Sequence, residues 1–450
     1  MSGIMDEHAA RSALEGSLRD YLQQDGAHLQ TRVEAFFEWQ HLRRRQGLWP
    51  YSRASEESPS TFMAARDDAG RRVRGVNFAS QDYLSLCVHP DVKQVAMDVI
   101  AEFGLHSAGS PALLGNTPYS VALEQHVADF LNMPEALLFP TGWAAGYGVI
   151  KGLIRPTDHV VLDALSHSCL QEGASAATHN VHRFRHNDLA ECRARLEEIR
   201  AQAPHHAIMV VTESLFSMNS DSPNIAALQE LCHGFDATLV VDVAHDLGNL
   251  GKDGKGVIGD QGMLGRVDLV MGSFSKTFCS NGGFVACHTR ALKEYLRFYS
   301  PPCIFSNALS PAQAATVLKA FEIIEGAEGQ RLRDQLMGNI LELRRQLEEA
   351  GFEVYGEPSA IVCVKIGAEA LARLVSRHAQ DAGLLANLVE YPAVAKGKAR
   401  FRLQVMARHT DENIRDAVAA LRAANIAGRS DFAQLGLEWL RSSEPTTQWQ

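Results

Sequence analysis

Residues able to do chemistry gather where apolar runs end. "VDLVMGSF" (267–274) leads into Ser275 and Lys276, and "ATLVVDVAH" (237–245) carries Asp242 and, three residues on, His245. A lysine at the end of a buried run is seldom without a partner or a task. Asp242 alone has a second reading, the cap of a following helix. Taken together, Lys276, Asp242 and the serine pair Ser273 and Ser275 supply an amine for a Schiff base, an acid for a ring nitrogen and donors for a phosphate. Those are the three groups that pyridoxal phosphate requires. Its protonated ring is an electron sink, which makes a carbanion beside a substrate nitrogen accessible. Asp242 would hold that ring charge by ion pairing in a low-dielectric site.

A second phosphate anchor is expected at a glycine-containing turn that opens a helix, where backbone N–H groups and the helix dipole point the same way. "FPTGWAAGYG" (139–148) has that form, with Thr141, Gly142 and Trp143 at the turn. His167, in "DALSHSC", follows another strand and is placed to stack on a ring, although a single histidine is as readily structural.

The elements that must hold these groups read as follows. Short apolar runs at 159–164, 207–214, 237–245, 267–274 and 283–287 alternate with helical patterns at 188–201 and 225–235. Continuous apolar strands separated by helices predict an α/β fold with a mostly parallel sheet covered on both faces. In such sheets the site lies at the carboxyl ends of the strands. Leu332, Leu336, Ile340, Leu343 and Leu347 form one face of a long helix that Gly351 should stop. Strands at 352–367 and 399–410 then predict a smaller C-terminal α+β domain. The expected divisions are an N-terminal helical extension (1–75), a large domain (76–305), the small domain (306–425) and a tail (426–450). In the extension, Arg43, Arg44 and Arg45 read as a solvated helix face or as a patch for an acidic partner.

Composition narrows the function. The chain has 450 residues, 46% hydrophobic and 21% charged, enough for a large core in more than one domain. A net charge of -10 argues against a nucleic-acid surface, which needs a basic face. No apolar run is long enough to span a bilayer and the start lacks the pattern of a signal peptide, so a cytoplasmic location is expected. Eight scattered cysteines, with no CxxC pair, are expected to be reduced and mostly buried, and no metal site is expected.

An ordered set of motifs then makes a specific match: "NFASQDYLSL" (77–86), "SAGSPALLGNTPYSVALE" (107–124), "FPTGWAA", "DALSHS", "RHND" (185–188), "TESLFSMNSD" (212–221), "VDVAHDLGNLGKDGKG" (241–256), "GSFSKTF" and "ARFRLQVMARHT". Over about residues 76 to 425 the chain resembles the α-oxoamine synthases, pyridoxal-phosphate enzymes of fold type I. The resemblance implies a seven-stranded sheet in the large domain and a homodimer with a shared active site. Lys276 would carry the cofactor and move the α-proton, His167 would stack on its ring, Asp242 would pair with the ring nitrogen and His245 with the ring hydroxyl. Ser217 and Glu213 fall where the family lines its cofactor pocket, Glu213 being equally readable as structural. Asn307, in "FSNALSP", would reach the partner's phosphate. Arg402 matches the binder of the amino-acid carboxylate, a role that suits a guanidinium. Arg400 shares its strand face, so the family match alone separates the two.

Departures bear on the substrate. Pro111 stands where most members have arginine, Ser120 where they have histidine, Gln81 in place of an asparagine near the substrate carboxylate, and Asp246 in place of a small residue. Loss of cations near the acyl chain disfavours a short acidic acyl group. The resemblance therefore implies a decarboxylating condensation of a small amino acid with an acyl thioester, carried by CoA or by an acyl carrier protein. Serine with a long chain is favoured, and alanine or glycine stay open. Autoinducer-synthase and glycine C-acyltransferase activities are the near alternatives; an aminotransferase or lyase is the distant one.

Overall fold

Each anticipated apolar run forms a strand in the computed structural model, which describes residues 7–68 and 70–436. Seven strands make the central sheet: β1 (Glu135–Phe139), β2 (His159–Asp163), β3 (Val181–Phe184), β4 (Ile208–Glu213), β5 (Thr238–Asp242), β6 (Leu269–Ser273) and β7 (Gly283–Cys287). Their order is β1-β7-β6-β5-β4-β2-β3. Strand β7 runs antiparallel to both neighbours, and the other described pairings are parallel. Strands β1 and β3 escape the sequence pattern: β1 begins with Glu135, and β3 is short and carries His182 and Arg183.

Strands β4, β6 and β7 are buried along their whole length, as a sheet covered on both faces demands. Helices α1 (Gly142–Leu153) and α2 (Ser168–Ala177) cover one face through Val149, Ile150 and Leu170, which pack with Phe139, Leu162 and Val211. Burial of each such side chain stabilises the fold by about 1.5–3 kcal/mol.

The described chain divides into two compact units, residues 81–336 and a second formed from both ends. This differs from the expected divisions in three ways. Residues 54–77 are not part of a helical extension: Phe62–Arg66 and Arg72–Asn77 pair as antiparallel strands, and Leu384–Leu385 adds to the latter in parallel. The large unit runs to 336 rather than 305 because the helix Pro311–Glu325 packs with Pro90–Phe103 and Pro118–Phe130. Residues 426–434 continue the helix Asp411–Gln434 and bury Phe432 instead of starting a tail, while 437–450 lie outside the described residues.

In the second unit, Ile361–Gly367 pairs with Ala399–Gln404, as the α+β expectation requires. Ile340, Leu343 and Leu347 are fully buried on the predicted helix face. That helix ends as expected: Gly351 takes φ +86° while Phe352 N–H donates to Leu347 O at 3.0 Å, a left-handed turn that glycine makes without a Cβ clash.

Arg43 corrects the reading of the arginine cluster as a solvated face. It is completely buried, its guanidinium 4.8 Å from the Trp39 ring centre, 5.2 Å from that of Trp49 and 3.3 Å from Glu390. Glu390 also accepts from Arg373 at 2.7 Å and from the Tyr51 hydroxyl at 3.0 Å. Arg44 pairs with Asp68, and Arg45 is exposed. One buried carboxylate thus serves two buried guanidiniums. Glu390→Ala, which leaves both without their anion, is expected to lower unfolding stability by about 3–5 kcal/mol in denaturant titration; a loss under about 1 kcal/mol would show that water reaches the pair.

Candidate active site

Parallel strands end side by side, so residues at their carboxyl ends share one cavity. Its walls are Gly142 and Trp143 from the start of α1, His167 and Cys169 beyond β2, Glu213 at the end of β4, Asp242 with Ala244 and His245 at β5, and Met271, Ser273 and Lys276 at β6. This is the edge on which open α/β sheets bind ligands.

Lys276 is not in a strand. Strand β6 stops at Ser273, and residues 274–282 form the hairpin loop to β7, closed by Phe274 N–H to Gly282 O at 3.0 Å and Ser280 N–H to Phe274 O at 3.1 Å. Phe274 and Phe278 are buried and meet edge to face at 5.6 Å. These two aromatic rings anchor the loop and leave Lys276, between them in sequence, on the cavity wall.

Asp242 and Glu213 are register partners on adjacent parallel strands, both buried. Burial, then the Asp242 charge, pushes the Glu213 carboxyl well above the usual range. Asp242 is also raised by burial, but the charges of Lys276 and His167 and the Ala244 N–H pull it back. The balance favours the charge on Asp242 over the charge on Glu213. Glu213 accepts the His167 N–H at 2.6 Å, which ties the turn after β2 to the end of β4.

His167 caps α2: its Nδ1 accepts the Cys169 N–H at 3.2 Å, so the ring proton sits on Nε2. The Cys169 sulfur lies 3.0 Å from the same Nδ1, and burial followed by the Asp242 charge holds it as a neutral thiol. His245 Nδ1 hydrogen-bonds the buried Tyr83 hydroxyl at 3.0 Å. Tyr83 and Cys169 were not anticipated as site residues. Tyr83 lies in the quoted "NFASQDYLSL", but nothing in that stretch pairs it with a histidine 162 positions away.

Thr141 caps α1 by accepting the Ala144 N–H at 3.0 Å. The first-turn amides of Gly142 and Trp143 have no acceptor within the helix. A Cβ on Gly142 would stand 2.3 Å from that of Ser273, so only glycine lets the helix start sit against β6. Ser273 Oγ contacts Ser275 Oγ at 3.1 Å and accepts the Ser275 N–H at 3.2 Å. A lysine, a buried anionic acid and a helix start beside a serine hydroxyl match the amine, ring nitrogen and phosphate of pyridoxal phosphate.

Among the expected site residues, Gly142, Trp143, His167, Asp242, His245, Ser273 and Lys276 line this cavity. Thr141, Ser217, Ser275, Asn307 and Gln81 are not among its lining residues: Ser217 is buried, Gln81 half-buried, and Thr141, Ser275 and Asn307 exposed. Arg402 belongs to the other unit, on the strand Ala399–Gln404, with a buried Nε that meets no partner among the described residues. Arg400 is more buried and lies 4.4 Å over the Tyr355 ring. All eight cysteines are free and six are buried. No described helix is long and apolar enough to cross a membrane.

Residues 73–421 match the aminotransferase class I and II family. A 2-amino-3-ketobutyrate coenzyme A ligase of Salmonella typhimurium is 33% identical over 84% of this chain and 93% of its own length. An 8-amino-7-oxononanoate synthase of Trichlorobacter lovleyi is 34% identical over 85% and 96%. A serine palmitoyltransferase from S. paucimobilis, solved with a PLP–myriocin aldimine, superposes with a TM-score of 0.83 at 27% identity, covering 90% of this chain and all of that one.

Asp246 sits behind this wall, fully buried, its carboxyl 2.5 Å from Ser214 Oγ and 2.7 Å from the Val257 N–H. Burial pushes it up to about 7. The folded state then holds a proton that the unfolded chain releases above about pH 4, so this contribution to stability is full below that pH and is lost as pH rises through about 7. Asp246→Asn, which mimics the protonated acid, should flatten the stability profile between about pH 4 and 7 in denaturant unfolding; a profile as steep as wild type would rule out a neutral Asp246.

Proposed function

The chain belongs to the α-oxoamine synthase family, and on that premise we propose that it condenses serine with a long-chain acyl thioester, releasing CO2 and the thiol, to give an α-amino ketone. The class is a pyridoxal-phosphate-dependent C-acyltransferase. The observation that carries the substrate reading is the stretch after Ser110. Pro111 and a buried Ser120 occupy the positions of the family's cations, and Leu113 and Leu114 between them are 82% and 89% exposed. Ser120 is engaged with Thr117 in a capping box, which leaves it no part in holding an acyl carboxylate. An uncharged chain suits such a surface.

Bound pyridoxal phosphate supplies the electron sink that acidifies the amino acid's α-carbon. Lys276 Nζ takes the α-proton and returns one to the same carbon after CO2 leaves. Between those steps the α-carbon attacks the thioester carbonyl and the thiol departs. Asp242 would keep the ring nitrogen protonated; burial works against its charge, and Lys276, His167 and the Ala244 N–H favour it. His167 would cover one face of the ring and orient the thioester carbonyl, its ring held by the Cys169 N–H on Nδ1. His245, backed by Tyr83, takes the ring hydroxyl. The first-turn amides of Gly142 and Trp143, with Thr141, Ser273 and Ser275, would hold the phosphate, and Ser217 falls where the family lines its cofactor pocket. Arg402 takes the substrate carboxylate, and Gln81 takes the position of the family's asparagine near it. Exposed Leu105, Leu113, Leu114 and Phe305 support a homodimer in which Asn307 contacts the partner's phosphate. A cytoplasmic enzyme fits this reading.

The test is a panel of glycine, alanine and serine against short and long acyl thioesters on CoA and on acyl carrier protein, with CO2 and free thiol as readouts. Serine with a long chain should give the highest kcat/KM; a preference for glycine with a short chain would replace this reading with the ligase-type activity. Lys276→Ala is expected to lose the protein's visible cofactor absorbance and at least about a thousandfold in kcat. Asp242→Asn should keep the cofactor and lose at least about a hundredfold in kcat; near-normal turnover in either variant would overturn the assigned roles.

A further inference from the structure

The motif "RHND" is unused by the chemistry so far, yet its histidine bridges the turn that leads to His167 and the loop that follows Glu213, two residues of the cavity wall. His186 Nδ1 lies 3.0 and 3.1 Å from the two carboxylate oxygens of Asp163, at the end of β2, and its Nε2 lies 2.9 Å from Asp221. Asp163 is completely buried and accepts two further N–H groups, of Leu165 and Asn187, each at 2.8 Å. Asp221 closes the loop that carries Ser217: its carbonyl accepts the Phe216 N–H at 2.9 Å. The His186 ring meets the Phe216 ring edge to face at 4.5 Å.

A neutral imidazole has one N–H, so it would set a lone pair against one of the two carboxylates. The imidazolium donates to both.

We propose that His186 is a positioning residue, a fixed imidazolium that clamps the 214–221 loop to the turn leading into His167 and so sets the spacing between Glu213 and His167, the cavity residues that these segments adjoin. Its cation is well placed to persist: burial works against it, but the hydrogen bonds to Asp163 and Asp221 outweigh that and raise the imidazole to about 9. The other charged or titratable groups nearby do not compete. Arg185 is exposed and pairs with Asp188 and Glu191, while Cys192, beneath Asp163 on the helix Leu189–Gln202, is a thiol that burial pushes up to about 12. The proposal rests on the cofactor reading for what the two segments face, and on geometry alone for the clamp.

Two readouts on the full-length protein separate these parts. Hydrogen exchange without added cofactor should quicken by about tenfold in residues 163–168 and 214–221 of His186→Gln, and in 214–221 alone for Asp221→Asn. Wild-type exchange in both segments, corrected for intrinsic rates, should rise as pH passes from about 8 to 10, and His186→Gln should lack that rise. Retention of pyridoxal phosphate through gel filtration, followed by its visible band, should weaken by about tenfold in both variants. Unchanged exchange in both segments, or uniform loosening of the whole unit with cofactor retention intact, would overturn the clamp. A wild type that binds no pyridoxal phosphate would overturn the cofactor reading and leave the exchange result to decide the clamp.

Discussion

A buried negative charge at the end of a parallel strand is the constraint on which the large unit is organised. Asp242 and Glu213 occupy adjacent positions in register, out of water, where two ionised carboxylates could not coexist. Burial beside Asp242 raises Glu213 well above the usual carboxylate range, while the nearby Lys276 pulls Asp242 back down. The lysine must therefore reach the cavity, the hairpin between β6 and β7 must be held by Phe274 and Phe278, and the turn after β2 must present a backbone N–H to Glu213. Electrostatics of one pair dictates the conformation of three loops.

The same economy recurs away from the site. Asp163 satisfies two backbone N–H groups and a histidine, Glu390 two arginines and a tyrosine, Asp246 a serine and a backbone N–H. A buried carboxylate left with one partner would cost several kcal/mol, so each acts as a junction between segments distant in sequence. Such junctions make the loops around the cavity parts of one network and not independent ornaments on the sheet.

Much of this was legible in the sequence because it depends on local periodicity. Continuous apolar runs gave five of the seven central strands close to their observed ends, and the stripe from Leu336 to Leu347 with Gly351 gave a helix and its stop. Lysine, aspartate and two histidines near strand ends gave four of the cavity's walls. What was illegible depends on partners far along the chain. Arg43 looks like any arginine on a charged helix until Glu390 and two tryptophans enclose it. The strands at 62–77 lack an apolar run because they form a small sheet with several exposed positions. Tyr83 announces nothing, since its significance is a hydrogen bond to His245.

The order of strands in the sheet also bears on how the protein is made. Strand β1 is synthesised first of the seven, lies at the sheet's edge, and finds its neighbour there in β7, the last to emerge. The helix start that follows β1 is seated by Gly283 and Ser273, which arrive at the same late moment. On the ribosome the cavity has its two histidines and its two acids before it has its lysine or a settled helix start. A nascent chain consequently holds an unpaired edge strand and a pair of acids without their lysine until the hairpin is complete, and the capacity to retain a cofactor waits on that hairpin.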